Sequence, residues 1–234
     1  MLHRLIPLIL ALSPASALTL YDGSGGQSPS AQGWVLGGFG GYTEILDGGA
    51  AILTTAASPD LNRAGYSIIS PFSLDRTAGY ELTFDLQLDS EAHQSNDRAG
   101  LSVVIIGNDL EGIELGFWTG GIWAQNDGAT KPPRFTHGEE ASHDTTRRTA
   151  YRVVMSGGNY TVYAGSTLLM SGALRNYSPE GLPYTVPNFV FVGDDTTAAN
   201  ATMRFYSAGV SEVPEPGSLV LTGAGLLWAA RRRR

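Results

Sequence analysis

Tyr80-Glu81-Leu82-Thr83-Phe84-Asp85-Leu86-Gln87-Leu88 decides the fold class. Tyr80, Leu82, Phe84, Leu86 and Leu88 alternate with Glu81, Thr83, Asp85 and Gln87, a period of two held over nine residues. Successive side chains of a strand point to opposite faces, so this stretch predicts a strand with one buried and one wet face. Ala99–Ile106 is more apolar than the first, Ser102 apart, and predicts a second, more central strand. Gly112–Trp118 predicts a third, with Ile113, Leu115 and Phe117 on one side and Glu114, Gly116 and Trp118 on the other. Gly120–Ala124 predicts a fourth.

Outward from this block the pattern repeats. Ala50–Thr54 and Tyr66–Ser70 read as strands before it, and the paired glycines of Gly37–Gly41 forbid a long helix. After it, Tyr151–Met155, Asn159–Tyr163 and Thr167–Met170 form a meander joined by Ser156-Gly157-Gly158 and Ala164-Gly165-Ser166, which suit hairpin turns. Asn188–Val192 and Ala201–Tyr206 are the last strands. Residues 127–146 and 177–187 read as loops, Asp194–Asn200 as a polar turn and Ser207–Glu212 as a link to the C-terminal tail. No long amphipathic helix interrupts this series, so the body is expected to be all-β, two antiparallel sheets face to face. Tyr80–Leu88, Arg98–Ile106, Gly112–Trp118 and the Tyr151–Met170 meander resemble the concanavalin A-like jelly-roll families of lectins, laminin-G-like modules and β-glucanases. That resemblance implies a fold and not a chemistry.

Composition narrows the partners. The chain has 234 residues, no cysteine and 30 glycines. Disulfides, thiolate nucleophiles and zinc–thiolate sites are excluded. Its net charge is −7, and without Arg4, Glu215 and Arg231–Arg234 it falls to −11, with Lys131 the single lysine. A nucleic-acid partner would want a basic patch, and none is present. Metal cations or neutral glycans suit the charge better.

The two ends read as export signals. Met1–Ala17 has a basic start, the apolar run Leu5–Leu12 and the small residues Ala15 and Ala17 of an A-x-A cleavage site, the order of a signal peptide cut by signal peptidase. Residues 18–212 are the body. Residues 213–234 join Pro214-Glu215-Pro216, the uncharged run Gly217–Ala230 and Arg231-Arg232-Arg233-Arg234. The prolines exclude regular structure before the run, and the arginines suit phosphate headgroups on the cytoplasmic side. Fourteen residues at about 1.5 Å each reach about 21 Å, short of the ~20 residues of a full span; a buried helix with a basic end is the competing reading. The three parts resemble, in order, a PEP-CTERM sorting signal. The resemblance implies a C-terminal hydrophobic transmembrane helix, a transient stay in the inner membrane, cleavage by an exosortase-type sorting protease, and release to the cell surface or an extracellular polysaccharide matrix.

Candidate chemistry is sparse. Glucanases of the jelly-roll class carry two acids on one strand, as E-x-D-x-x-E; here Glu111 and Glu114 flank Ile113, so the central acid is missing, and Glu114 is expected to be a solvent-facing acid or one half of a catalytic pair. The lyase pattern with a Gln-x-His strand is absent too. Asp194-Asp195, Asp97 and Asp109 stand in oxygen-rich clusters that suit structural calcium or plain turns. Trp118 and Trp123 are candidates for stacking on sugar rings, with core packing as the alternative. His137 and His143 fit no zinc spacing, and no G-x-S-x-G elbow supports a serine nucleophile. The expected function is therefore an exported structural or glycan-binding protein, non-enzymatic in preference. The alternative is a glycan-degrading hydrolase or lyase using Glu114 and a second acid elsewhere.

Overall fold

A computed structural model describes residues 17–55, 62–127 and 135–213. These residues form two eight-stranded antiparallel sheets packed face to face. The first runs β13 (Thr167–Ala173), β12 (Asn159–Ala164), β11 (Thr149–Ser156), β6 (Tyr80–His93), β16 (Ala199–Glu212), β4 (Ala50–Thr54) and β3 (Thr43–Asp47), with β1 (Ala17–Asp22) on the C-terminal half of β16. The second runs β10 (His137–Ser142), β9 (Gly121–Gln125), β8 (Glu111–Trp118), β7 (Leu101–Ile106), β15 (Phe189–Asp194), β5 (Arg63–Ile69) and β2 (Val35–Phe39), with β14 (Arg175–Asn176) on the start of β8.

The alternation in β6 sets the register of the first sheet. Leu82 lies opposite Val153 and Val210, and Leu86 opposite Phe205. Leu82, Phe84, Leu86 and Leu88 meet Val103, Ile105, Ile113 and Leu115 of the second sheet in one buried cluster. Phe205 anchors its far end, 4.7 Å from Tyr21 and edge-on to Trp34 at 5.4 Å. Removing apolar area from water at about 25 cal/mol per Å² makes this cluster the main source of stability.

The side of the sandwich between β10 and β13 is closed by a polar clamp. Arg175 and Tyr160, both buried, donate to the Glu139 carboxylate, Tyr160 at 2.9 Å. Gly172 makes room for it, since a Cβ there would stand 2.5 Å from the Glu139 carboxyl carbon. Burial alone would raise the Glu139 carboxyl; the bonds from Arg175, its own backbone and Tyr160 outweigh that and hold it below its ordinary range.

Several expectations are corrected. Ser207–Glu212 is not a link but the end of β16, paired with both β1 and β6. Residues 137–142, expected in a loop, form edge strand β10; its polar sequence fits an edge, where one flank is unpaired and few side chains are buried. β6 continues to His93, five residues beyond the alternating stretch Tyr80–Leu88. The expected fold class is corrected to an all-β sandwich for the described residues, which contain no α-helix and none long and apolar enough to cross a membrane. The transmembrane keyword and the transient membrane anchorage are corrected with it. Pro214, Glu215, Pro216 and Arg231–Arg234, like residues 1–16, lie outside the described residues.

Candidate active site

The inner face of β8 behaves as its alternation predicts: Ile113, Leu115 and Phe117 are in the main core. Its outer face does not meet water. Val104 and Ile106 of β7, Phe189 of β15, and Tyr177 and Tyr184 of the segment 177–188 form a second buried cluster on that face. Glu114 is the register partner of Val104, so the same cover buries it, to 3% exposure. The expectation of a solvent-facing Glu114 is thereby corrected.

The buried carboxyl is well provided with partners. Tyr184 Oη donates to Glu114 Oε2 at 2.6 Å. Tyr177 Oη accepts from Glu114 N at 3.3 Å and donates to Gln125 O at 2.6 Å. A further hydrogen bond joins Glu114 to Asp195, the residue just past β15. Asp195 is held from its other side by Ser102 Oγ at 3.1 Å. The Arg98 guanidinium supplies positive charge to both acids. It is fixed by Phe135 O at 2.8 Å and lies 5.1 Å from the Phe135 ring. Phe135 itself adopts a left-handed φ of 55°, a conformation that L side chains adopt at a cost and that clusters at functional sites.

Two carboxyls this close cannot both be charged. Burial, then the charge of Asp195, pushes the Glu114 carboxyl well above its ordinary range, against the pull of Tyr184 and Arg98. Burial raises Asp195 as well, but the bonds from Ser102, its own backbone and Glu114, together with Arg98, oppose it. Both are thus raised, and the proton of the pair is drawn towards Glu114 rather than Asp195. The hydroxyls of Tyr184 and Tyr177 are pushed far up, first of all by burial. Asp194 next door is raised by burial from 3.8 to about 8, although Thr55 Oγ1 donates to it at 2.6 Å.

The pair sits beside a groove of 640 Å³ on the outer face of the second sheet. Asp194, Asp195 and Tyr184 line it, with Arg63, Phe39 and Phe191 among the other walls. Glu114 is behind that wall. Phe191 sits against Gly65, where any Cβ would run into the ring at Cζ and Cε2. The ring is part of the groove wall.

Trp118 and Trp123 lie at the other end of the same face, beside a depression of 680 Å³. Their rings meet at 4.5 Å, edge to face. The faces are occupied: His93 stacks on Trp118 at 4.2 Å and His137 on Trp123 at 4.1 Å. Trp123 also covers Gly116, where a Cβ would stand 2.5 Å from the ring. His93 and His137 are tied by Nδ1 to Glu91 and Glu140 at 2.8 and 3.2 Å.

The four aspartates singled out for calcium do not converge. Asp109 pairs with Arg76 at 2.7 Å. The Asp97 carbonyl takes Arg98 and Gln125 side chains. Asp194 and Asp195 hold the partners given above. Among the described residues, no group of three or more acids and histidines is arranged to hold a metal ion.

No family model and no curated protein matches the chain, so nothing in these comparisons supports the sorting-tail resemblance. Solved structures do match. One is a conserved carbohydrate esterase from the Shiga toxin-encoding bacteriophage phi24B, 10% identical, with a TM-score of 0.60 over 86% of this chain and 100% of the other. A protein of unknown function with a galectin-like fold from Bacillus subtilis is 9% identical, with a TM-score of 0.51 and the same coverage. The alginate lyase AlgAT5 of polysaccharide lyase family 7 is 16% identical, with a TM-score of 0.45 over 74% of this chain and 82% of that one. The fold is thus a jelly-roll sandwich of the kind found in lectins and glycan-acting proteins. The non-enzymatic preference is corrected by the site itself. It leaned in part on a solvent-facing Glu114, whereas Glu114 is buried, its carboxyl is pushed well above its ordinary range, and it meets a second acid beside a groove.

Proposed function

We propose that this chain is a glycan-degrading enzyme, a hydrolase or lyase of jelly-roll fold, working in the outer groove of the second sheet. The observation that carries this reading is the hydrogen-bonded pair Glu114–Asp195 at the groove wall. Acids whose environments push their proton affinities apart are what general acid–base chemistry requires. Asp195 faces the groove and exchanges a proton with the glycosidic oxygen. Glu114, behind it, holds one proton and fixes Asp195 as the charged member. Phe191 and Phe39 line the groove with apolar surface suited to pyranose rings. The fold shared with a carbohydrate esterase supports a polysaccharide as the substrate class.

The pair does not have the geometry of a two-carboxylate glycosidase, whose acids stand about 5–5.5 Å or about 6.5–9.5 Å apart. Glu114 is therefore not the opposing nucleophile or base, and that role falls to another residue. The test is to incubate the full chain with a panel of neutral and uronic polysaccharides, reading new reducing ends and the ultraviolet absorbance of unsaturated uronates. Cleavage is expected, and Asp195→Asn is expected to abolish it. Reducing ends alone identify a hydrolase; unsaturated ends identify a lyase. Binding of a polysaccharide with no cleavage of any would defeat the enzymatic reading.

A further inference from the structure

We infer that Tyr184 is the group that takes the proton from substrate, relayed through Glu114 to Asp195. This rests on the reading of the groove as a glycan-cleaving site. Tyr184 and Asp195 both line the groove, while Glu114 lies behind them and is bonded to each. The chain of hydrogen bonds thus has two ends open to substrate and a sealed middle. Its polarity is set at rest: Tyr184 donates to Glu114 Oε2, and the Glu114 proton points to the Asp195 carboxylate.

Alone, Tyr184 is a poor base, because burial and neighbouring acids disfavour its phenolate. The wire removes that difficulty. As the tyrosine oxygen takes a proton from substrate, its own proton passes to Glu114 and the Glu114 proton passes to Asp195. No phenolate accumulates, and the net acceptor is the Asp195 carboxylate. In hydrolysis the proton comes from water, whose oxygen bonds to the anomeric carbon as the bond to the glycosidic oxygen breaks. In elimination it comes from a ring carbon, whose electron pair becomes the new double bond as the neighbouring carbon–oxygen bond breaks. In both, the proton now on Asp195 goes to the departing oxygen. Asp195 is a carboxylate again, and the Glu114 proton turns back towards it. No oxidant or cofactor enters the balance.

The experiment compares wild type with Tyr184→Phe, Glu114→Gln and Asp195→Asn, each first checked for an unchanged thermal transition type. The infrared stretch of a protonated buried carboxyl is expected in wild type at neutral pH. The Glu114 component, over and above that of neighbouring Asp194, should be lost in Glu114→Gln and should move in Tyr184→Phe, which removes one hydrogen bond from that group. All three variants should lose cleavage by a factor of about 10²–10⁴, the usual worth of a general acid or base, and the wild-type rate should slow in heavy water. Tyr184→Phe or Glu114→Gln cleaving at the wild-type rate, with Asp195→Asn inactive, would overturn the wire and leave the glycan-cleaving reading intact. An unmoved carboxyl stretch in Tyr184→Phe overturns the wire whether or not a substrate has been found.

Discussion

The outer face of the second sheet carries two depressions of nearly equal size, 640 and 680 Å³, and they are built differently. Each is floored by an aromatic ring set against a glycine of the adjacent strand, Phe191 against Gly65 and Trp123 against Gly116. This is the arrangement by which a ring repacks the surface that glycine leaves bare. At the first, the ring is left partly exposed and the acids at its margin share a proton. At the second, His137 covers the ring and His93 covers its neighbour Trp118. The same backbone device therefore makes a site in one place and a plug in the other. What differs is whether polar side chains are left facing the void or are stacked across it.

The largest expected effect separates the two by activity. Asp195→Asn keeps size and most hydrogen bonds but cannot accept the relayed proton, so cleavage should fall by about 10²–10⁴. His137→Phe, at the other depression, should leave the rate on the same polysaccharide within about twofold, since general acid–base factors do not reach that far. Initial-rate measurements on both variants check this, and a large loss in His137→Phe would break the comparison.

Stability gives the next effect. Gly116→Ala puts a methyl group 2.5 Å from the Trp123 ring, which is boxed in by His137. Overpacking of this kind costs about 1–3 kcal/mol. Gly65→Ala drives Phe191 off its seat, but that ring is partly exposed and has the groove to move into. A smaller loss of stability is expected there, together with a raised KM. Urea unfolding of both variants measures the difference. Equal losses would mean that the groove is as tightly filled as the plug.

A third measurement sharpens the electrostatic side. Asp194 lines the groove and holds its proton up to about pH 8, against 3.8 for the unexposed-to-burial value of an ordinary aspartate. Between about pH 4 and 8 the native state thus binds a proton that the unfolded chain has released. Stability is fully present below that window and is lost as pH rises through it. Glu114 acts in the same direction. The urea midpoint should fall from pH 4.5 towards pH 8, and Asp194→Asn should flatten part of that slope. A wild-type midpoint that rises over the same range would show that neither carboxyl is held neutral.

Much of this architecture was readable from the chain. The alternation of β6 and the faces of β8 follow from period two alone. The apolar run Val103–Ile106 of β7 also carried a message that single-strand reading missed. Val104 and Ile106 are apolar on the outer face because that face is covered. Glu114 lies opposite Val104 across one register step, so an apolar outer residue beside an acid was the available signal for a buried carboxyl. Asp195 could not be found this way. It is 81 positions further along the chain and reaches Glu114 only because β15 pairs with β7. Tyr184 comes from a segment with no periodicity, and its role depends on a tertiary hydrogen bond. Edge strand β10 was missed for a related reason: its neighbours, and not its own apolar content, hold it in the sheet.

The smallest expected effect concerns the stacked histidines. His93 lies nearly parallel to Trp118, at 10° and 4.2 Å, with Nδ1 on Glu91. A ring pair of this kind contributes about 0.5–1.5 kcal/mol beyond its buried area. His93→Ala should lose about that much stability and leave cleavage unchanged. It also frees one face of Trp118, and an open indole face is what a sugar ring stacks on. Saccharide should then quench tryptophan fluorescence in His93→Ala and not in the wild type. If saccharide already quenches the wild type, the histidines do not plug this depression. The two ends of the sheet would then be subsites of one glycan path, and the contrast between them would be one of catalysis only.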